Sequence, residues 1–271
     1  MAIVTRGSGG SIKFSGTGGS LRVISSGGGA PTQPPLGSMS AWYRADDIGI
    51  SNGSSVSSWV DLSGNGADLG PVAGVSQPTY STNVAALNGR SAVSFSGSQL
   101  LYRTSPNFAA GDAAISCYVV CDPTFSGGGG TTLPLFSWGQ DGTALYRPTV
   151  LFYNTDPQWI VAVDAFANNS PSYNATSSAQ IISFFNNQSN PISTSTILVD
   201  GSVPTQFNTG VGGALAIPSP VAEVRMGGFV QNNTPCFVGQ IAEVLLYYKN
   251  HDAGERAQTL AYLSSRYGIP V

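Results

Sequence analysis

Few side chains in this sequence can do chemistry, and their spacing limits what they do. The 271 residues hold three glutamates, Glu223, Glu243 and Glu255, one histidine, His251, and three cysteines, Cys117, Cys121 and Cys236. Hydrolysis of a glycosidic bond needs two flanking carboxyl groups, about 5–5.5 Å apart for retention of configuration. None of the glutamates has an acidic neighbour two or four positions away. Glu255 follows Asp252 by three and completes a capping box. Glu243 lies inside the apolar run 237–248, which predicts an internal, hydrogen-bonded carboxylate. His251 precedes the cap, far from any nucleophile elbow, and reads as a surface turn residue. On this census the chain is expected not to be an enzyme.

Cys117 and Cys121 share one face of the strand-like run ISCYVVC. At strand rise they stand about 13 Å apart, too far to bridge each other. A Cys117–Cys236 bridge stays open if their strands are neighbours, and three buried thiols acting as small hydrophobes is the stronger reading. No zinc spacing is present. Calcium is the one inorganic candidate, through Asp46, Asp47, Asp61 and Asn65. The pattern Asp61-Leu62-Ser63-Gly64-Asn65-Gly66 serves better as a tight turn whose side chains bond their own backbone. No cofactor is therefore required by the sequence.

Sugar recognition needs ring faces beside planar polar groups. Trp138, Gln140, Asp141 and Tyr146, with Trp159 nearby, are the candidate glycan contacts. Each tryptophan also suits a sandwich core, and Trp42 and Trp59 are read as core.

The elements that must position these residues are mostly strands. With 34 Gly, 17 Pro and 9% charged residues against 41% apolar, an all-β fold is the default, since globular domains average about a quarter charged residues. Strand cores are predicted at 92–95, 115–121, 150–153, 159–163, 181–185, 195–199, 221–226 and 237–248. Asp200-Gly201 marks a hairpin turn, and 127–130 a glycine loop. One helix is predicted near the C-terminus. Asp252 and Glu255 cap its start, Leu260, Leu263 and Tyr267 form its apolar face, and Gly268 ends it.

The first 37 residues stand apart. They contain Arg6, Lys13 and Arg22 and no acid, a charge of +3, so the remaining 234 residues carry −6 of the net −3. A nine-residue repeat places Ile12, Lys13 and Phe14 in register with Leu21, Arg22 and Val23, each triplet preceded by Gly-Gly-Ser. Two such alternating strands suit a hairpin, and a Gly/Pro stretch follows as a linker. The expected division is an anchoring arm at 1–37 and a single domain at 38–271. Without a basic field or an apolar run of about 20 residues, neither nucleic acid nor membrane is an expected partner. The start lacks the apolar core of a signal peptide, which suggests assembly in the cytoplasm.

Two stretches carry a family likeness. Ala41-Trp42-Tyr43-Arg44-Ala45-Asp46-Asp47, then Val56–Gly66, Gln77-Pro78-Thr79-Tyr80 and Leu87-Asn88-Gly89-Arg90 with Val93-Ser94-Phe95, resemble the opening of laminin-G-like jelly rolls of the concanavalin A-like lectin/glucanase superfamily. The run 237–248 and the helix after it resemble that family's last strand and closing helix. The resemblance implies a two-sheet antiparallel jelly-roll sandwich, here with one C-terminal helix and an extended N-terminal β-arm. Members include lectins, hydrolases, adhesive modules and phage structural domains. Together with the arm, the likeness suggests a phage virion structural protein, of the capsid-decoration type (cement or head fibre). Ile12, Lys13, Phe14, Leu21, Arg22 and Val23 would anchor it to the major capsid protein or another virion protein. It would form a homo-oligomer on the virion surface and carry a lectin-like jelly roll toward host-surface glycans. The alternatives are a tail or tail-fibre component and a stand-alone carbohydrate-binding lectin or adhesin.

Overall fold

A computed structural model describes residues 11–13, 24–26, 30–108, 114–124, 132–139, 149–153, 158–162, 172–174, 176, 178–187, 195–204, 206–208, 221–228 and 237–271. In chain order the strands are β1 (Ser11–Lys13), β2 (Ile24–Ser26), β3 (Met39–Arg44), β4 (Gly70–Pro71), β5 (Thr79–Val84) and β6 (Arg90–Ser96). There follow β7 (Leu101–Thr104), β8 (Ile115–Pro123), β9 (Thr132–Gly139), β10 (Thr149–Tyr153), β11 (Gln158–Ala162) and β12 (Ser172–Asn174). The last are β13 (Gln180–Asn186), β14 (Thr196–Val199), β15 (Gln206–Asn208), β16 (Glu223–Met226) and β17 (Val238–Tyr247), before helix α1 (Ala253–Tyr267).

Two antiparallel sheets form the sandwich, as expected. One has eight strands in the order β15-β12-β11-β10-β9-β16-β7-β4. The other runs β14-β13-β8-β17-β6-β5, and β3 pairs with the second half of β17. Period-2 alternation explains the core between them. Leu101, Phe136, Val224 and Met226 of the first sheet face Val93, Cys117, Val119, Ile182, Ile241 and Val244 of the second.

The outer face of the seven-strand sheet is apolar too, because α1 covers it. Leu260, Leu263 and Tyr267 pack on Ala92, Tyr118, Val120, Ile181 and Leu245. A bulge between Ile241 and Glu243 sends Glu243 outward beside Ala242. The helix has the predicted ends: the Asp252 side chain accepts from the Glu255 amide, Glu255 answers to the Asp252 amide, and Gly268 is left-handed at φ 69°. The Asp200-Gly201 turn also forms as predicted, with both residues at positive φ and Val199 paired to Ser202.

In the arm, β1 and β2 pair antiparallel as a separate two-stranded sheet. The second strand lies at 24–26, beyond the repeat that was expected to supply it. The expected linker is fixed at its far end. Pro34 is buried, and the Tyr247 hydroxyl donates to the Pro35 carbonyl at 2.9 Å. The glycine loop at 127–130 lies outside the described residues. No described helix is long and apolar enough to cross a membrane.

Candidate functional site

The carboxylates flagged in the sequence are largely held by the protein itself. Asp61 is buried and accepts from the amides of Trp42, Ser63 and Ala67 and from the Ser63 hydroxyl, at 2.8–3.1 Å. Asn65 donates to the carbonyls of Met39 and Ser40, and Leu62 to that of Trp42. This turn thereby satisfies the outer edge of β3, a protective role for an otherwise unpaired strand edge. Asp46 accepts from the Ser91 amide and pairs with Arg266, and Asp47 pairs with Arg44. The oxygens proposed for calcium thus serve protein donors.

Glu243 is the internal carboxylate that its apolar surroundings predicted. It accepts from Trp42 Nε1 at 2.6 Å and from the hydroxyls of Tyr262 and Tyr267 at 2.9 and 2.8 Å. Burial raises its pKa, and these donors with Arg266 oppose the rise. His251 corrects the sequence reading. It is 2% exposed, its Nδ1 lies 2.9 Å from the Tyr118 hydroxyl, and its ring stands 4.1 Å from that of Tyr247. The strand-to-helix turn folds it inward because its amide is bound by the Ser116 hydroxyl. Cys117 and Cys121 are free and buried, and desolvation holds both thiols protonated. Cys236 lies outside the described residues.

Of the candidate glycan residues, one side chain falls among the described residues. Trp138 is fully buried in the inter-sheet core, 5.2 Å from Phe136. A bulge opposite Val150/Leu151 brings Leu135, Phe136 and Trp138 all into that core, so Trp138 offers no ring to a ligand. Trp159 belongs to β11, where the strand course alone is described, and Gln140, Asp141 and Tyr146 lie outside the described residues. Of the arm contacts, Ile12 and Lys13 fall in β1, while Phe14, Leu21, Arg22 and Val23 lie outside the described residues.

A cleft does form, at residues the sequence reading passed over. It occupies about 340 Å³ at the β4/β7 end of the eight-strand sheet, lined by Ser58, Asp68, Leu69, Gly70, Tyr102, Arg103 and Thr104. Pairing builds it. The short strand β4 sets Gly70 opposite Tyr102, and a Cβ at Gly70 would meet nothing within 4 Å, so the flank of the ring stays clear. Trp59 and Leu69 exchange backbone hydrogen bonds at 2.9 Å beneath it. Asp68 is exposed and positioned by the Asp61 amide, which donates to its Oδ1 at 2.8 Å. On the outer face of the sheet, Arg225 lies opposite Tyr102 on β7 and Ser137 on β9, pairs with Glu223 at 2.6 Å, and sits 5.9 Å from the Tyr102 ring centre.

Residues carrying a guanidinium, a carboxylate, two hydroxyls and a phenol line this small hollow, with Tyr102 and Arg103 as strand neighbours on opposite faces of β7. Such a set both donates to and accepts from a polyhydroxylated ligand. The signal available in the sequence was the pair Tyr102-Arg103 inside the short alternating strand LYRT.

No protein family matches the chain, and no characterised protein matches it by sequence. Solved structures similar to it include a Trypanosoma rangeli sialidase in complex with sialic acid, with a TM-score of 0.54 at 16% identity over 90% of this chain and 35% of that one. A GH54 α-L-arabinofuranosidase soaked with a cyclic sulfate inhibitor gives a TM-score of 0.55 at 15% identity, covering 79% of this chain and 51% of that one. The chain thus spans about a third of the sialidase and half of the arabinofuranosidase. At these identities the likeness establishes the shared β-sandwich. It also overturns the expectation of a non-enzymatic chain, because glycoside hydrolases carry this sandwich. Physically, carboxylates that flank a bond are brought together across strands and loops, so their spacing along one strand does not exclude catalysis.

Proposed function

We propose that the sandwich is a carbohydrate-recognising domain with its binding site in the Asp68–Arg103 cleft. The cleft carries this reading: residues able to donate and to accept line a hollow whose size is near the lower end of small-ligand sites. The resemblance of the motifs around Trp42 and Asn88 to laminin-G-like jelly rolls supports it, as does the fold shared with a sialidase and an arabinofuranosidase. A glycan array probed with the full chain tests it, with Tyr102→Ala as the control variant and a reducing-sugar assay run on every glycan bound. Binding that Tyr102→Ala weakens fivefold or more is expected; an array without any bound glycan defeats the reading.

The arm supports a second, compatible reading: the domain is displayed on a phage virion, as a capsid decoration or tail component, and bound there through the arm. The supporting observation is the two-stranded sheet of β1 and β2, separate from both sheets of the sandwich. An isolated hairpin is marginal in water, so pairing with a virion protein such as the major capsid protein would give it a partner. Assembly of the chain into particles after removal of residues 1–33 would refute an anchoring arm.

A further inference from the structure

We infer that the cleft selects an acidic sugar residue, of the uronate type, whose carboxylate is held by Arg103. The inference rests on the carbohydrate reading above and adds the ligand's charge. Seven lysine and arginine side chains are described in this structure. Arg44, Arg90, Arg225, Lys249 and Arg266 each pair with a carboxylate of the chain. Arg256 donates to the His251 carbonyl and to Asn250 and lies 3.9 Å over the Phe185 ring. Among the described residues Arg103 alone has no such partner, and it is the one that lines the cleft.

That is an unusual cation to leave unpaired in a domain whose sequence from residue 38 on carries −6. A guanidinium presents paired N–H donors in a planar fork that matches a carboxylate. Asp68 then sets the rest of the preference. Its Oδ1 is taken by the Asp61 amide, which leaves Oδ2 as an acceptor for ligand hydroxyls, and its charge discourages a second anionic group nearby. Ser58 and Thr104 add hydroxyl-bearing residues to the lining. The ligand described by this set has one carboxylate and neighbouring hydroxyls.

Titration of the full chain with uronate, sulfated and neutral oligosaccharides of equal length tests the assignment. Uronate binding is expected to be tightest and to fall about tenfold in Arg103→Ala, with Arg103→Lys in between, because a lysine keeps charge and loses the fork. Arg103 is exposed, so the variants should melt with the wild type, and an unchanged melting temperature verifies that the loss is local. Equal binding of neutral oligosaccharides, unaffected by Arg103→Ala, would overturn the acidic-sugar assignment and leave carbohydrate recognition standing. Preference for sulfated over uronate chains would overturn the carboxylate specifically. Failure of the wild type to bind any of the three would remove both readings.

Discussion

Glu243 and His251 are buried titratable groups with opposite roles. Glu243 ties the sheet to the helix by accepting from Trp42, Tyr262 and Tyr267. Glu243→Ala strands three buried donors, and breaking such a network costs roughly 3–5 kcal/mol. A loss of that size, measured by urea unfolding, is expected. His251 is neutral in the fold, its pKa lowered to about 4 first by burial, with Lys249 and Arg256 adding to the drop and Glu255 and Asp252 opposing it. The unfolded chain takes up this proton near pH 6.5 and the folded chain resists to about 4. Stability should therefore fall as pH drops through that window and level off below it, by about 2 kcal/mol after allowance for solvent screening. Unfolding of His251→Gln, followed over the same pH range, should lack that part of the slope. Glu243 was legible because an acid inside VGQIAEVLLYY has nowhere wet to go. His251 was not, since its burial depends on Ser116 and Tyr118, more than 130 positions away in sequence.

At the scale of elements, local rules were reliable and pairing was hidden. Helix α1 could be read because its cap, period and glycine stop all lie within 17 consecutive residues, 252 to 268. Asp252→Ala should cost about 1 kcal/mol, checked by thermal melts, while Ser265→Ala on the same helix should change little. The strands at 115–123 and 238–247 were legible as long apolar runs. Strands β4 and β7 were not, being two and four residues long and recognisable by what they pair with. The cleft depends on that pairing, which explains why its residues escaped a reading by motif. Trp138 stayed open between core and glycan contact for the complementary reason: a bulge, invisible in sequence, decides which way it points.

For the whole molecule, the charge division of +3 in the arm and −6 beyond it has a structural boundary. The division was legible in composition, but the boundary lies a few residues earlier than expected, because Pro34 is buried and Pro35 is bound by Tyr247. Removal of residues 1–33 should leave melting unchanged. Removal of 1–37 takes away that contact and should lower stability by about 1–2 kcal/mol, a difference that paired denaturant titrations of the two truncations resolve. The sandwich itself brings Ser58, Asp68 and Tyr102 from separate parts of the chain to one sheet end, leaving Arg103 as its unpaired cation among the described residues.

The most direct test of the account is calorimetric titration of the wild type and of Tyr102→Ala and Arg103→Ala with the oligosaccharides that the array identifies. The account predicts saturable binding in the wild type that both substitutions weaken fivefold or more, with the melting temperature of Arg103→Ala unchanged. Binding that neither substitution affects would contradict it.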